Sequence, residues 1–138
     1  MESLTVPGSR DSLPRVAQWV VAAATEAGLS SKAAYRLRLA VDEIAANIVS
    51  HGYGDRQRAG SLDLEARIDP QRLTIYLEDT GQAFDPTEHS APRNLDRPLE
   101  ERAPGGLGIH LARTSVDCFR YERVGNRNRS VFEMNRVG

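Results

Sequence analysis

The chain has 138 residues, 40% of them hydrophobic and 27% charged, which describes one globular domain rather than two domains or a disordered tail. Its formal net charge of −1 provides no long-range pull toward DNA or an anionic membrane, so neither a nucleic-acid nor a membrane partner is expected. The only lysine, Lys32, follows no glycine-rich run, which excludes a Walker-type phosphate loop; Cys118 stands alone, which excludes a disulfide framework and a cysteine zinc site.

The three histidines, His51, His89 and His110, have no metal-ligand spacing. The longest clean apolar run, Val20 to Ala24, is far short of a membrane span, and the opening MESLTVPGSR does not read as a signal peptide. A reduced, cytoplasmic setting is the expectation.

Residues 3–6 read as a short edge strand closed by Pro7 and Gly8. A helix is predicted from Ser12, with Ser12 as N-cap and Pro14 in the first turn. It carries Val16, Trp19, Val20 and Ala23 at helical spacing and stops at Gly28. A second helix is predicted from Ser31 to His51. Residues 62–68 alternate strictly, as do Leu73, Ile75 and Leu77, and the Asp69-Pro70-Gln71 turn makes the two strands a hairpin. From Thr80 to Gly108 the chain is punctuated by Gly81, Pro86, Pro92, Pro98, Pro104 and a glycine cluster, and reads as a long functional loop. A helix over about 107–116 and strands over about 118–123 and 130–136, turning at Gly125-Asn126, complete the chain. This order predicts an α+β fold: a two-layer α/β sandwich with helices on one face of a mixed, mostly antiparallel sheet.

Three stretches could carry chemistry. On the second helix, Leu37, Val41, Ile44 and Ile48 form the packing stripe, while Glu43 and Asn47 stack one turn apart on another line with Arg36 and Ser50. A solvated polar face is the ordinary reading of such a pair. The small flanks Ala40, Ala45 and Ala46, and the His51-Gly52-Tyr53-Gly54 ending, favour a carboxylate and a carboxamide aimed together into a pocket. At the end of the hairpin, Asp79 precedes Gly81; it reads either as a turn residue or as a buried acceptor for a ring amino group. Gly105, Gly106 and Gly108 open the next helix, where free N–H groups can meet phosphate oxygens. Their spacing does not match a dinucleotide fingerprint.

In this order, the three stretches resemble the N, G1 and G2 boxes of the GHKL ATPase superfamily, the Bergerat ATP-binding fold. Within it the chain is most similar to the small anti-sigma factor serine kinases of bacterial stress and sporulation control. The likeness rests on LTVPGSRDSLPRVAQWV (4–20), LRLAVDEIAANIVSHGYGD (37–55), LEDTGQAFDP (77–86) and GGLGIHLARTSVD (105–117).

The resemblance implies a single histidine-kinase-like ATPase domain over 1–138 with an ATP lid at about 82–108, and ATP and Mg²⁺ as cofactors. By position, Glu43 matches the acid that serves as general base, Asn47 the Mg²⁺-holding asparagine, and Asp79, with Gly81 beside it, the adenine-reading carboxylate. Gly105, Gly106 and Gly108 match the glycines near the phosphates. Ser130 lies where the family often has a threonine near the adenine. Ala83 stands where some relatives have a second glycine. The implied activity is ATP-dependent phosphorylation of a serine on an anti-anti-sigma protein of the STAS type, together with sequestration of a sigma factor, by a homodimer. The alternative is a non-catalytic ATP- or ADP-loaded switch that sequesters a regulatory partner. Leu4, Val6 and Trp19 are candidates for a dimer surface if they are partly exposed.

Overall fold

A computed structural model describes residues 1–53, 60–81 and 106–136, with side chains at 51–53 and 106–109 left aside. The expected loop interior at 82–105, and with it most of the expected lid, lies outside the described residues.

Strand β1 (Leu4–Pro7) leads through a 3₁₀ turn at Arg10–Ser12 into helix α1 (Leu13–Glu26). Ser12 is itself helical, with φ −84° and ψ −18°, and its side chain caps nothing. The cap expected of it is lost because the 3₁₀ turn already carries the chain in helically. Helix α1 ends in a Schellman turn: Gly28 N–H donates to Thr25 O and Leu29 N–H to Ala24 O, each at 3.0 Å. Gly28 has φ +76°, a conformation open to glycine at little cost. Helix α2 (Ser31–Asn47) follows at once, its first turn capped by Ser30 Oγ, which accepts from Ala33 N–H at 3.1 Å. The chain then widens into a π-helical turn at Ile48–Tyr53.

Strands β2 (Ser61–Ile68) and β3 (Arg72–Asp79) form the expected hairpin. Asp69 Oδ1 accepts from the N–H groups of Gln71 and Arg72 at 2.7 and 2.8 Å, which closes the turn and holds its carboxyl below the ordinary range. Helix α3 (Gly106–Ser115) leads to β4 (Cys118–Val124) and β5 (Arg127–Asn135), joined at Gly125 with φ +61°.

The five strands lie in the order β1-β2-β3-β5-β4, and all four pairings are antiparallel, where the sequence allowed a mixed sheet. The crossover through α3 does make β4 parallel to β3, but it leaves a gap one strand wide. Strand β5 folds back into that gap, antiparallel to both neighbours.

Alternation puts Leu62, Leu64, Leu73, Ile75, Leu77, Phe132 and Met134 on one sheet face, all buried. Val16, Val20, Leu37, Val41, Ile44 and Ala112 cover them from the helices. Helix α2 is central and packs against both α1 and α3. Leu4 and Val6 belong to this core, so they are not surface candidates for a dimer; Trp19, only partly buried, donates its indole N–H to Glu2 O at 3.0 Å.

The opposite sheet face is charged. Arg127 bridges Asp63 and Glu78, Arg129 reaches Glu78 and Glu122 at 3.5 and 3.4 Å, and Glu133 takes Arg72 and Arg120 at 3.3 and 2.6 Å. Each such half-exposed pair contributes about 1 kcal/mol or less. The consequence for function is positional: the buried polar residues at the end of the sheet, Asp79, Asn128 and Ser130, lie on the helix-covered side.

Candidate functional site

Helix α2 carries the first half of the site. Its stripe of Leu37, Val41, Ile44 and Ile48 is buried against the core. The neighbouring line is not uniform. Arg36 and Ser50 are exposed and Glu43 is half-buried, yet Asn47 is only 8% exposed. Among the described residues the Asn47 carboxamide makes no hydrogen bond. A buried amide of this kind has an oxygen and two N–H donors to offer a ligand.

The second half is the end of the sheet where β3 stops, β4 stops and β5 begins. Asp79 is 2% exposed and lies opposite Asn128, while Ser130 lies opposite Leu77 on the same face. Asp79 Oδ1 accepts from Gly81 N–H at 2.9 Å and from Asn128 Nδ2 at 3.0 Å. Among the described residues neither bond reaches Oδ2. Asn128 Nδ2 also approaches Gly81 O at 3.4 Å. On its other side Asn128 Oδ1 accepts from the Tyr121 hydroxyl, and from Arg123 Nη1 at 3.0 Å. Arg123 Nη1 also contacts Gly81 O at 3.3 Å.

Burial pushes the Asp79 carboxyl above its ordinary value. The hydrogen bonds from Asn128 and Gly81, and the charges of Arg123 and Arg127, oppose that shift without cancelling it. The result is a carboxylate with one oxygen anchored by the protein and a second oxygen that gains from a further donor. A ring amino group is such a donor, and a base lacking it would leave the carboxylate underpaired.

Helix α3 supplies the remaining candidates. It begins at Gly106, includes Gly108 and has no acidic residue in its first turn, so no side chain of that turn offsets the positive end of its dipole. Gly105 lies outside the described residues.

The structure thus brings Asp79, Gly81 and Ser130 to one end of the sheet, and sets Glu43 and Asn47 on one line of α2. Helix α3, with Gly106 and Gly108, packs on α2. Sequence reasoning missed Asn128, Tyr121 and Arg123. The available signal was the polar alternation of Asn128 and Ser130 after a glycine turn, a pattern that the predicted start of β5 at residue 130 concealed. The donor set suits an adenine nucleotide with magnesium: Asp79 offers an acceptor for the base, and Asn47 offers a hard oxygen of the kind Mg²⁺ takes alongside phosphate oxygens and water.

Residues 6–132 match the family model described as the histidine kinase-like ATPase domain. The serine/threonine-protein kinase BtrW of Bordetella bronchiseptica is 31% identical over 121 residues, covering 88% of this chain and 81% of that protein. The serine-protein kinase RsbW of Halalkalibacterium halodurans is 28% identical over 117 residues, covering 83% and 70%. Among solved structures, the histidine kinase domain of a blue-light activated kinase from Erythrobacter litoralis superposes with a TM-score of 0.55 at 18% identity. That match covers 95% of this chain but only 62% of the larger one. The Acinetobacter baumannii histidine kinase AdeS gives 0.54 at 11% identity, covering 100% and 70%. These two likenesses concern the fold.

Proposed function

This chain belongs to the histidine kinase-like ATPase domain family, and we propose that it transfers the γ-phosphoryl group of ATP to a serine hydroxyl of a protein partner. The observation that carries this reading is Asn47, 8% exposed and with no hydrogen bond from its carboxamide among the described residues, one turn from the half-buried Glu43. A module that only sequesters a partner has no use for a base at that place.

In this reading Asp79 selects the base by accepting from its exocyclic amino group, with Gly81 and Ser130 beside the ring. Asn47 would hold Mg²⁺, for which its amide oxygen is a suitable ligand. When bound, the metal supplies neutralising charge on the triphosphate, a role that no lysine fills here. The backbone N–H groups at the start of α3, at Gly106 and Gly108, would meet the phosphates, with Gly105 assigned to the same segment by sequence alone. Glu43 takes the proton of the serine hydroxyl as the Oγ–P bond forms, and the bond between the γ-phosphorus and the β–γ bridging oxygen breaks to release ADP. Residues 82–108 would act as the lid over this site.

The names of the relatives, a serine/threonine-protein kinase and a serine-protein kinase, support a protein serine as acceptor. The finer proposal is a STAS-type anti-anti-sigma protein as substrate and a sigma factor as the sequestered partner, with the chain acting as a homodimer. The test is incubation with ATP labelled at the γ-phosphate and the candidate anti-anti-sigma proteins, with and without Mg²⁺. Label on a serine, lost with Glu43→Gln, is the expected result. Tight ATP binding with no transfer to any candidate would favour the switch module instead.

A further inference from the structure

We propose that Asn128 is the positioning residue that sets base specificity: held by Tyr121 and Arg123, it fixes the direction in which the unanchored oxygen of Asp79 meets the nucleotide base. This inference rests on the reading that Asp79 takes the ring amino group, and it assigns the discrimination to a side chain that need not touch the nucleotide.

The geometry begins with the Asn128 amide, whose two ends are chemically different. Its oxygen end is engaged by two donors from β4, the Tyr121 hydroxyl and Arg123 Nη1. A guanidinium has no acceptor, so Arg123 excludes an N–H in that place. The amide therefore cannot flip without setting N–H against N–H, and its Nδ2 is committed to Asp79 Oδ1 and Gly81 O. Gly81 N–H adds a second donor to the same Oδ1.

Both anchors fall on one oxygen, so the carboxylate cannot rotate to share them. Oδ2 is then held in a single direction as the free acceptor. Asn128 is itself 5% exposed and lies directly opposite Asp79 in the β3–β5 ladder, so the pair is rigid at both backbones. Without Nδ2, Asp79 keeps only the Gly81 anchor and is free to swing.

The experiment compares ATP with purine riboside 5′-triphosphate, which lacks the 6-amino group, by calorimetry on wild type, Asn128→Ala and Tyr121→Phe. Wild type is expected to prefer ATP. Asn128→Ala is expected to weaken ATP about tenfold while changing the amino-free nucleotide by about twofold or less. Tyr121→Phe removes one anchor of Asn128 without touching Asp79, and is expected to move the preference in the same direction by a smaller factor. It keeps the inference testable if Asn128→Ala does not fold.

A pH series adds a readout that a purely structural defect would not move. The charged and titratable groups that act on Asp79 are Arg123 from β4, the Tyr121 phenol beyond Asn128, and Arg127, which acts through its charge from the opposite face of β5. Loss of the Asn128 donor raises the pH below which ATP binding weakens, whereas a generally loosened site weakens binding equally at every pH. If wild type prefers ATP and both variants keep that preference in full, Asn128 has no such role. If wild type binds the two nucleotides equally, the reading of Asp79 fails and this inference falls with it.

Discussion

Arg136 donates through Nε to the carbonyl of Ala27 at 2.8 Å, tying the residue after the last strand to the end of the first helix, 109 positions earlier. The same guanidinium reaches Asp69 O at 2.7 Å, and Arg136 N–H donates to Gln71 O at 2.9 Å. One side chain thus joins α1, the β2–β3 turn and β5 at the end of the sheet away from Asp79. Arg136→Ala is expected to cost about 1–2 kcal/mol of stability, the range for charge-assisted hydrogen bonds that are partly exposed. Nucleotide affinity should be unchanged. Denaturant unfolding and an ATP titration on the same sample check both halves.

Asp79 is expected to show function held at the expense of stability. Its carboxyl is raised by burial, so the native state binds that proton more tightly than the unfolded chain. The associated stability is full below the unfolded value and is lost as pH rises through the folded one. Asp79→Asn carries no such loss, because its amide oxygen can still accept from Gly81 and Asn128. The variant should melt at least as high as wild type near neutral pH, with the gap closing on acidification, and it should no longer prefer ATP over the amino-free nucleotide. Melting curves from about pH 3, below the ordinary aspartate value, to about pH 8 test the sign; a variant that melts lower at neutral pH would contradict it.

Asn47→Ala is expected to weaken ATP binding in Mg²⁺ by about tenfold or more, the loss of one strong polar contact. ATP binding in chelator should change little. Because the amide has no protein partner among the described residues, stability should be nearly unaffected. Titrations with and without the metal separate a ligand-holding role from a structural one.

Glu43→Gln is expected to retain ATP affinity and to lose about 10²–10⁴ in the rate of phosphoryl transfer, the range for a missing general base. A single-turnover assay with the phosphorylated partner as readout measures this. Wild-type rates in the variant would remove Glu43 from the chemistry.

Much of the fold was legible because local pattern and tertiary demand agreed. Leu62 to Ile68 alternated and became β2; Gly28 stopped α1 at a positive φ; Gly125 turned β4 into β5. The misses have physical reasons. Ser12 looked like a cap, but the 3₁₀ turn before it had already made the backbone helical. The start of β5 was hidden because Arg127, Asn128 and Arg129 have no apolar alternation; they extend the strand through partners on β3 and β4, namely Glu78, Asp79 and Glu122. Glu43 and Asn47 could be paired from spacing because helical neighbours are close in sequence. Asn128 could not be joined to Asp79 that way, since 49 residues separate them and only the sheet order brings them face to face.

The opposed pair at the end of β3 and β5 also bears on how the chain folds. A slip of β5 by two residues would keep every side chain on its own face and nearly preserve the hydrocarbon layer. Slip in one direction sets the Ser130 hydroxyl opposite Asp79 in place of the amide, and slip in the other reaches Asn126 only by drawing it out of the β4–β5 turn. The native register is therefore the one that gives Asp79 its amide and leaves the β4–β5 turn intact, and strand alignment is checked by the same atoms that would meet a ligand.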